Sequence, residues 1–445
     1  MKWFGTDGIR GIFGEDLTPD IAFKLGVGVA RYFSKGSKPT IMIAKDPRLS
    51  SDALEASLIS GILSAGGDTI TLGILPTPGL ALLASLNKEV NGAVMISASH
   101  NPIEYNGLKV FNGKGEKLEP TAEEEIEHLM EIPLSASWDK VGSNILYPEA
   151  TKSYIDILFD RIGDIDLKEE FILVDTAHGA TCNAAVYALQ KGGARVNALF
   201  GYPDGWWINN KCGATHPEVV AKETVNLGAA YGFTFDGDGD RVFMVMSDGM
   251  VLTGDHLLAV LAYYLKEKGL LGQYVVSTIM ANLGLEAFLR DMGITLIRTP
   301  VGDKYVYDEM KKTGAILGGE SSGHIILMPV NNTGDGIGIM LYILHAIYSD
   351  GLDIEEVLRN FTLYPSRMYN LKTKYKHELA NHPKVKEIVN KYTTEYDGIA
   401  RIIVRPSGTE HVLRISVEAQ NNELVVKLLE TIVSEIQDVE NSLRS

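Results

Sequence analysis

Short, unbroken apolar runs constrain this chain most. Thr40-Ile-Met-Ile-Ala44, Gly92-Ala-Val-Met-Ile96 and Phe171-Ile-Leu-Val-Asp175 lack the polar alternation of a half-solvated strand. Such runs suit strands covered on both faces, as in a sheet between helices. Helical patterns fall between them. Thr18 is an expected N-cap, Pro19 stands at the first helical position, and Ile21, Leu25 and Phe33 share a face. A second helix is expected over 51–64, a strand over 69–72 and an acidic helix over 122–130. The strand–helix–strand rhythm restarts at Phe171 and again near Gly254, where Asp255 is the expected cap of a helix closed by Gly269. Helices are also expected over 184–190, 281–292 and 335–348. After Tyr364 the pattern changes to strands at 398–404 and 411–419 with a helix at 423–436. The expectation is an α/β protein of three similar α/β domains with mixed sheets plus a smaller C-terminal α+β domain. The expected boundaries are 1–150, 151–252, 253–364 and 365–445, the first lying in a polar region near 135–150.

Composition narrows the partners. The chain has 445 residues and a formal net charge of -16, so neither a nucleic acid nor an anionic membrane surface is an expected partner. A phosphorylated small molecule remains open, since one local cluster of Arg and Lys suffices. The N-terminal residues lack a signal-peptide apolar run, and the uncharged stretch 69–87 is broken by Gly73, Pro76, Pro78 and Gly79. Cys182 and Cys212 are the two cysteines, which fits a reducing, cytoplasmic setting and spectator thiols.

Four polar loops carry the chemistry. Ser97-Ala-Ser-His-Asn-Pro102 follows an apolar run and ends in proline, which makes it a stiff polar turn hung on a buried strand. Asp236-Gly-Asp-Gly-Asp240 places three carboxylates at alternate positions between buried strands. Charges so close repel unless a cation sits among them, and hard oxygen ligands suit Mg²⁺ or Ca²⁺. An EF-hand is excluded by Arg241 at its sixth position and Ser247 at its twelfth. Gly319-Glu-Ser-Ser-Gly323 spells a nucleophile elbow, but the residues after it read as a strand where an elbow needs a helix. Polar recognition by Glu320 and Ser322 suits it better. Arg405-Pro-Ser-Gly-Thr-Glu410 reads equally as a capped turn or as an anion cradle, with Arg414 nearby. Lys109 is unusual as a lysine inside a strand-like segment, and Arg10 lies in the Gly-rich opening loop.

In this order, Ser-Ala-Ser-His-Asn-Pro, Asp-Gly-Asp-Gly-Asp-Arg, Gly-Glu-x-Ser-Gly-His and Arg-Pro-Ser-Gly-Thr-Glu resemble the motifs of the α-D-phosphohexomutase superfamily. One motif falls in each expected domain. Phe4–Gly11, Cys212–Pro217, Ala281–Glu286, Val301–Val306 and Thr333–Ile337 point further to its glucosamine-phosphate branch. The resemblance implies domains arranged around a central active-site cleft, and interconversion of glucosamine 6-phosphate and glucosamine 1-phosphate. Mannose or glucose phosphates are the close alternative, and a metal-dependent phosphatase a more distant one. It implies Ser99 as a phosphoserine and Asp236, Asp238 and Asp240 as ligands of one Mg²⁺ together with the Ser99 phosphate. Arg10 and Lys109 would line the transfer centre, with His324 a further candidate acid/base and Arg241 beside the substrate. Glu320 and Ser322 would hold sugar hydroxyls. Arg405, Ser407, Gly408, Thr409 and Arg414 would clamp the phosphate not being transferred. A sugar 1,6-bisphosphate would serve as activator and intermediate, and the enzyme would be a monomer or homodimer. Two departures stand out: Asp303 where phosphomannomutase/phosphoglucomutase relatives carry histidine, and His411 where the family loop continues with proline.

Overall fold

The structure is a computed structural model, and it describes residues 3–5, 7–132, 137–407 and 411–444. The chain divides into two compact units, Met1–Met280 with Ile297–Ile354, and Ala281–Leu296 with Glu355–Ser445.

The first unit is built on one device used three times. Its first sheet contains β1 (Ile9–Ile12), β2 (Thr40–Lys45), β3 (Asp68–Ile74), β4 (Gly92–Ile96), β5 (Tyr105–Asn112) and β6 (Asn144–Leu146) in the order β1-β5-β4-β2-β3-β6. There β4 pairs parallel with β2 and antiparallel with β5. The second sheet holds β7 (Phe171–Asp175), β8 (Arg195–Leu199), β9 (Tyr231–Phe235), β10 (Val242–Met246) and β11 (Val251–Leu252), and β9 pairs parallel with β7 and antiparallel with β10. In the third, β12 (Tyr274–Thr278), β13 (Thr295–Thr299), β14 (Leu317–Gly319) and β15 (Ile325–Leu327) are joined, and β14 pairs parallel with β12 and antiparallel with β15. Each sheet therefore turns from parallel to antiparallel at one connection, and that connection carries a polar motif. Parallel strands need long crossovers, whereas an antiparallel return can be a short loop. The polar residues are held on that short loop between buried strands.

Local sequence explains the frame. Helix α1 (Pro19–Ser34) starts where expected, with Thr18 accepting from the Ile21 amide. It lies against α2 (Ser51–Ser64) at backbone distance: a Cβ on Gly26 would fall 2.3 Å from the Leu58 carbonyl oxygen. Glycine at that position is what lets the two helices approach. Leu25, Leu54, Leu58, Ile41 and Ile43 fill the layer beneath them.

The second unit is α+β. Strands β16 (Ser366–Lys372), β17 (Ala400–Pro406) and β18 (Val412–Ala419) form an antiparallel sheet, β16-β18-β17. Leu413, Ile415 and Val417 face helix Asn422–Arg444 through a core with Val425, Leu428 and Ile432.

Three local expectations change. The cap of helix Gly254–Glu267 is Thr253, in a capping box with His256, and Asp255 sits inside the first turn. The helix expected over 281–292 runs Leu283–Asp291, because the Asn282 side chain accepts from the Gly284 amide and caps it there. The polar region near 135–150 holds strand β6, which pairs with β3; its side chains are exposed, as befits a short edge strand.

Candidate phosphoryl-transfer site

Ser99 sits just past the end of β4 with φ 51°, a left-handed conformation uncommon for a residue with a Cβ. Such a conformation costs roughly 1 kcal/mol or more and persists only where the surroundings impose it. Arg48 supplies much of that constraint. Its side chain is fully buried and donates to the carbonyls of Ser99 (2.9 Å), Asn101 (2.8 Å), Tyr105 (2.9 Å) and Pro102. Its Nε donates to Asp46 Oδ2 at 2.9 Å. The same carboxylate accepts from Ser97 Oγ at 2.6 Å, and Ser97 Oγ accepts from the Ser99 amide at 2.9 Å. Burial pushes the Asp46 carboxyl up while Arg48 opposes the shift. From the second sheet's side, Asn209 Nδ2 donates to the Ser99 carbonyl at 2.8 Å.

The Ser99 hydroxyl meets the carboxylate loop directly, donating to Asp236 Oδ2 at 2.6 Å. The His100 ring nitrogen Nδ1 lies 3.2 Å from Ser99 Oγ, and burial followed by Arg241 and Arg10 brings the ring's pKa down to about 4. The alternating glycines of the Asp loop have a steric reason: a Cβ on Gly237 would lie 2.7 Å from the Ser99 carbonyl oxygen, and Gly239 has φ 73°. Asp236, Asp238 and Asp240 are all buried and each offers an oxygen within 4.8 Å of the others. Among the described residues, Asp238 Oδ1 and Asp240 Oδ1 are buried without a hydrogen-bond partner. Burial and then the neighbouring carboxylates of Asp240 and Asp238 hold Asp236 well above the usual carboxylate range. Burial also raises Asp238, but Lys109 overcomes it and keeps that group low. An all-oxygen set with two unsatisfied oxygens fits a hard divalent cation.

Cations surround the carboxylates. Lys109 lies on β5 across from Met95 and is 3% exposed. Its Nζ stands 2.8 Å from Asp238, 3.3 Å from Asp7 and 3.9 Å from Asp240. Burial alone would lower the ammonium pKa; Asp238, Asp7 and Asp240 raise it well above normal, so the group is held charged. Arg10, on β1 opposite Gly107, donates to Asp7 at 2.6 Å and to Asn101 Oδ1 at 3.3 Å. The loop between β14 and β15 arrives through a β-bridge between Arg241 and His324. It places His324 Nε2 4.0 Å from Asp240 and 3.5 Å from Asp303. Glu320 accepts from the Gly302 amide at 3.2 Å, and Ser322 Oγ is buried without a partner among the described residues. A strand follows this loop, so the nucleophile-elbow geometry is absent there.

The second unit carries its own polar group. Arg405 and Arg414 are directly opposed across β17 and β18. Paired arginine positions offer guanidinium forks suited to bidentate binding of an anion. Ser407 is buried, and Lys376 donates to its carbonyl at 2.6 Å. Gly408 and Thr409 lie outside the described residues.

The structure therefore gathers Ser99, Arg10, Lys109, Asp236, Asp238, Asp240, Arg241 and His324 in the first unit, and places Arg405, Ser407 and Arg414 in the second. Sequence reasoning passed over Arg48 and Asp46, which read as an ordinary turn. It noted Asp7 only as part of the Gly-rich opening loop, and it missed Asn209, Thr77, whose hydroxyl donates to Asp238 at 2.6 Å, and Lys117, whose Nζ lies 2.6 Å from Asp7. A buried arginine beside a proline was the one usable signal. Both cysteines are buried, with thiol pKa values pushed up by burial to about 11 for Cys182 and about 12 for Cys212.

Family models for phosphoglucomutase/phosphomannomutase match three stretches: alpha/beta/alpha domain I over 1–134, alpha/beta/alpha domain III over 253–364 and the C-terminal domain over 368–435. A phosphoglucosamine mutase of Lactiplantibacillus plantarum is 39% identical over 447 residues, covering 98% of this chain and 99% of the relative. That of Thermotoga maritima is 41% identical over 433 residues, covering 97% and 98%. Among solved structures, a phosphoglucomutase/phosphomannomutase family protein of Burkholderia thailandensis superposes with TM-score 0.81 at 22% identity, covering 99% of this chain and 98% of that one. An Aspergillus fumigatus N-acetylphosphoglucosamine mutase, solved with GlcNAc-6P and magnesium, superposes with TM-score 0.65 at 16% identity, covering 98% and 95%. These two likenesses bear on the fold.

Proposed function

The chain belongs to the phosphoglucosamine mutase family, within the phosphoglucomutase/phosphomannomutase enzymes, and on that premise we propose that it interconverts glucosamine 6-phosphate and glucosamine 1-phosphate through phospho-Ser99. A free hydroxyl of the sugar phosphate attacks the phosphorus of phospho-Ser99. The new P–O bond forms as the bond to Ser99 Oγ breaks, the sugar hydroxyl loses its proton, and Oγ gains one. The sugar 1,6-bisphosphate then turns round and returns its other phosphoryl group to Ser99 by the reverse steps.

Phosphoryl transfer depends on positioning and charge neutralisation. Lys109 and Arg10 supply fixed positive charge beside Ser99, and the high pKa of Lys109 suits it to neutralising charge instead of accepting a proton. Asp236, Asp238, Asp240 and an oxygen on Ser99 would hold one Mg²⁺, which when bound supplies further positive charge against the phosphoryl oxygens. Glu320, Ser322 and Arg241 are the proposed sugar contacts, His324 a candidate proton carrier, and Arg405, Ser407, Gly408, Thr409 and Arg414 the clamp for the idle phosphate. The four-part division at 150, 252 and 364, a cytoplasmic setting and a monomeric or dimeric state belong to the same proposal. Among the described residues no helix is long and apolar enough to cross a membrane.

The observation that carries the reading is the Ser99 hydroxyl on Asp236 at 2.6 Å, beside two carboxylate oxygens without a partner. The test is a coupled assay with glucosamine, glucose and mannose 6-phosphates, run beside intact mass and peptide mapping. Glucosamine 6-phosphate should give the highest kcat/KM, with one phosphate on Ser99. A higher kcat/KM for another sugar refutes the substrate assignment. Release of inorganic phosphate as fast as isomer formation refutes the mutase reading.

A further inference from the structure

Arg10 and Lys109 come from the first sheet and His324 from the loop between β14 and β15, and a chain of alternating charge links them. Asp7 is the hub for the first two: its Oδ2 is 2.6 Å from Arg10 and 3.3 Å from Lys109. Its other oxygen lies 2.6 Å from Lys117 Nζ. That ammonium also lies 2.6 Å from Asp303 Oδ2, which is 3.5 Å from His324 Nε2. His324 and Lys109 both face Asp240, at 4.0 and 3.9 Å, so the chain closes on a carboxylate of the Asp loop.

The groups come from distant segments: the Gly-rich opening loop, the residues after β5, and the first turn of helix Asp303–Thr313. The side chains of Lys117, Asp7 and Asp303 are 20%, 27% and 20% exposed, too shielded for an ordinary surface pair. Burial would raise Asp303, but Lys117 foremost draws it below the usual carboxylate range, and Asp7 lies low for the same kind of reason. An ammonium held between two carboxylates restricts where both can sit, and so restricts the groups those carboxylates hold. Small misplacements of transfer groups lower rates steeply.

We propose that Lys117, acting through Asp7 and Asp303, is a positioning residue that fixes Arg10, Lys109 and His324 around Ser99 and so governs the rate of phosphoryl transfer. This rests on the phosphoserine reading above. Lys117 touches none of the reacting atoms, so its removal should appear in the rate and spare sugar binding.

The experiment compares wild type, Lys117→Met, Lys117→Arg, Asp303→Asn and the double variant Lys117→Met/Asp303→Asn. Mutase kcat and KM are read beside the rate at which Ser99 takes phosphate from glucose 1,6-bisphosphate, followed by intact mass. Lys117→Met should lower kcat and phosphate uptake at least ~10-fold with KM within ~3-fold. Lys117→Arg should recover a large part of the rate. The double variant removes one charge of each sign; it should regain thermal stability and stay slow. Asp303→Asn keeps the Lys117–Asp7 pair, so it reads the His324 arm alone, with kcat lowered ~3-fold or more, and serves where Lys117→Met yields no folded protein. Unchanged kcat and uptake in both Lys117→Met and Asp303→Asn overturn the positioning role. So does a double variant that regains rate together with stability. Wild-type protein whose Ser99 takes no phosphate from the bisphosphate overturns the phosphoserine reading, and this inference with it.

Discussion

Around Ser99 the charged groups are shielded and most face an opposite charge; on the last sheet, two arginines, Arg405 and Arg414, occupy paired positions of neighbouring strands. Lys109 is 3% exposed, and Asp236 and Asp238 are fully buried. Arg405 is exposed, and Arg414, directly across from it, is half-buried. The first arrangement suits a centre where one atom must be delivered to one place, since shielded charges act strongly and reorganise little. The second suits the proposed clamp, which would have to accept the same phosphate group on a sugar presented in two orientations. Its guanidinium forks offer bidentate geometry.

The contrast breaks most clearly at Ser99. Ser99→Ala keeps the backbone carbonyl that Arg48 and Asn209 hold, so the fold should persist while kcat falls by more than ~10³-fold, read by coupled assay and by loss of the phosphate adduct. Arg48→Met should do the opposite first. It strips partners from four carbonyls and from buried Asp46, and should lower stability by ~3–5 kcal/mol in urea unfolding, with activity lost as the Ser99 turn relaxes.

Metal removal tests the carboxylate loop. At free Mg²⁺ ~100-fold above Kd, wild type should gain ~2.7 kcal/mol over its chelated form in thermal melts. Asp240→Asn should gain less from Mg²⁺ yet be more stable than wild type in chelator, because one like charge is gone. In the last unit, Arg414→Ala should raise KM ~10- to 100-fold, the equivalent of ~1.5–3 kcal/mol for a charged hydrogen-bond partner, with kcat largely kept.

A last effect lies away from both regions. His256 Nδ1 accepts from the Thr253 amide at the start of helix Gly254–Glu267, and burial brings its pKa down to about 4. A histidine with a depressed folded pKa contributes stability that is complete above ~6.5 and is lost as pH falls through about 4. The loss should be at most ~3 kcal/mol across that window. Melts of His256→Gln should show a shallower decline between those pH values than wild type.

Local patterns were readable because their causes are local. Thr18 and Pro19 start a helix by a cap and a preset backbone angle, and the helix expected at 51–64 runs Ser51–Ser64. The three-carboxylate loop and the opposed arginines could be singled out for the same reason. Thr253 was hidden because Asp255 is an equally good cap by type, and only the backbone shows which residue holds the helix end. Edge strand β6 was hidden because an exposed strand has no apolar run to betray it.

Spacing and residue type specified the four polar loops, the apolar strands that carry them and the likeness to a family. Folding decided that Arg48 spends its donors on the Ser99 turn, that Thr77 and Lys109 meet Asp238, and that Lys117 lies between Asp7 and Asp303. The reason is physical: a charge is balanced by whatever the fold brings within a few ångströms, and those partners lie far apart along the chain and leave no local pattern.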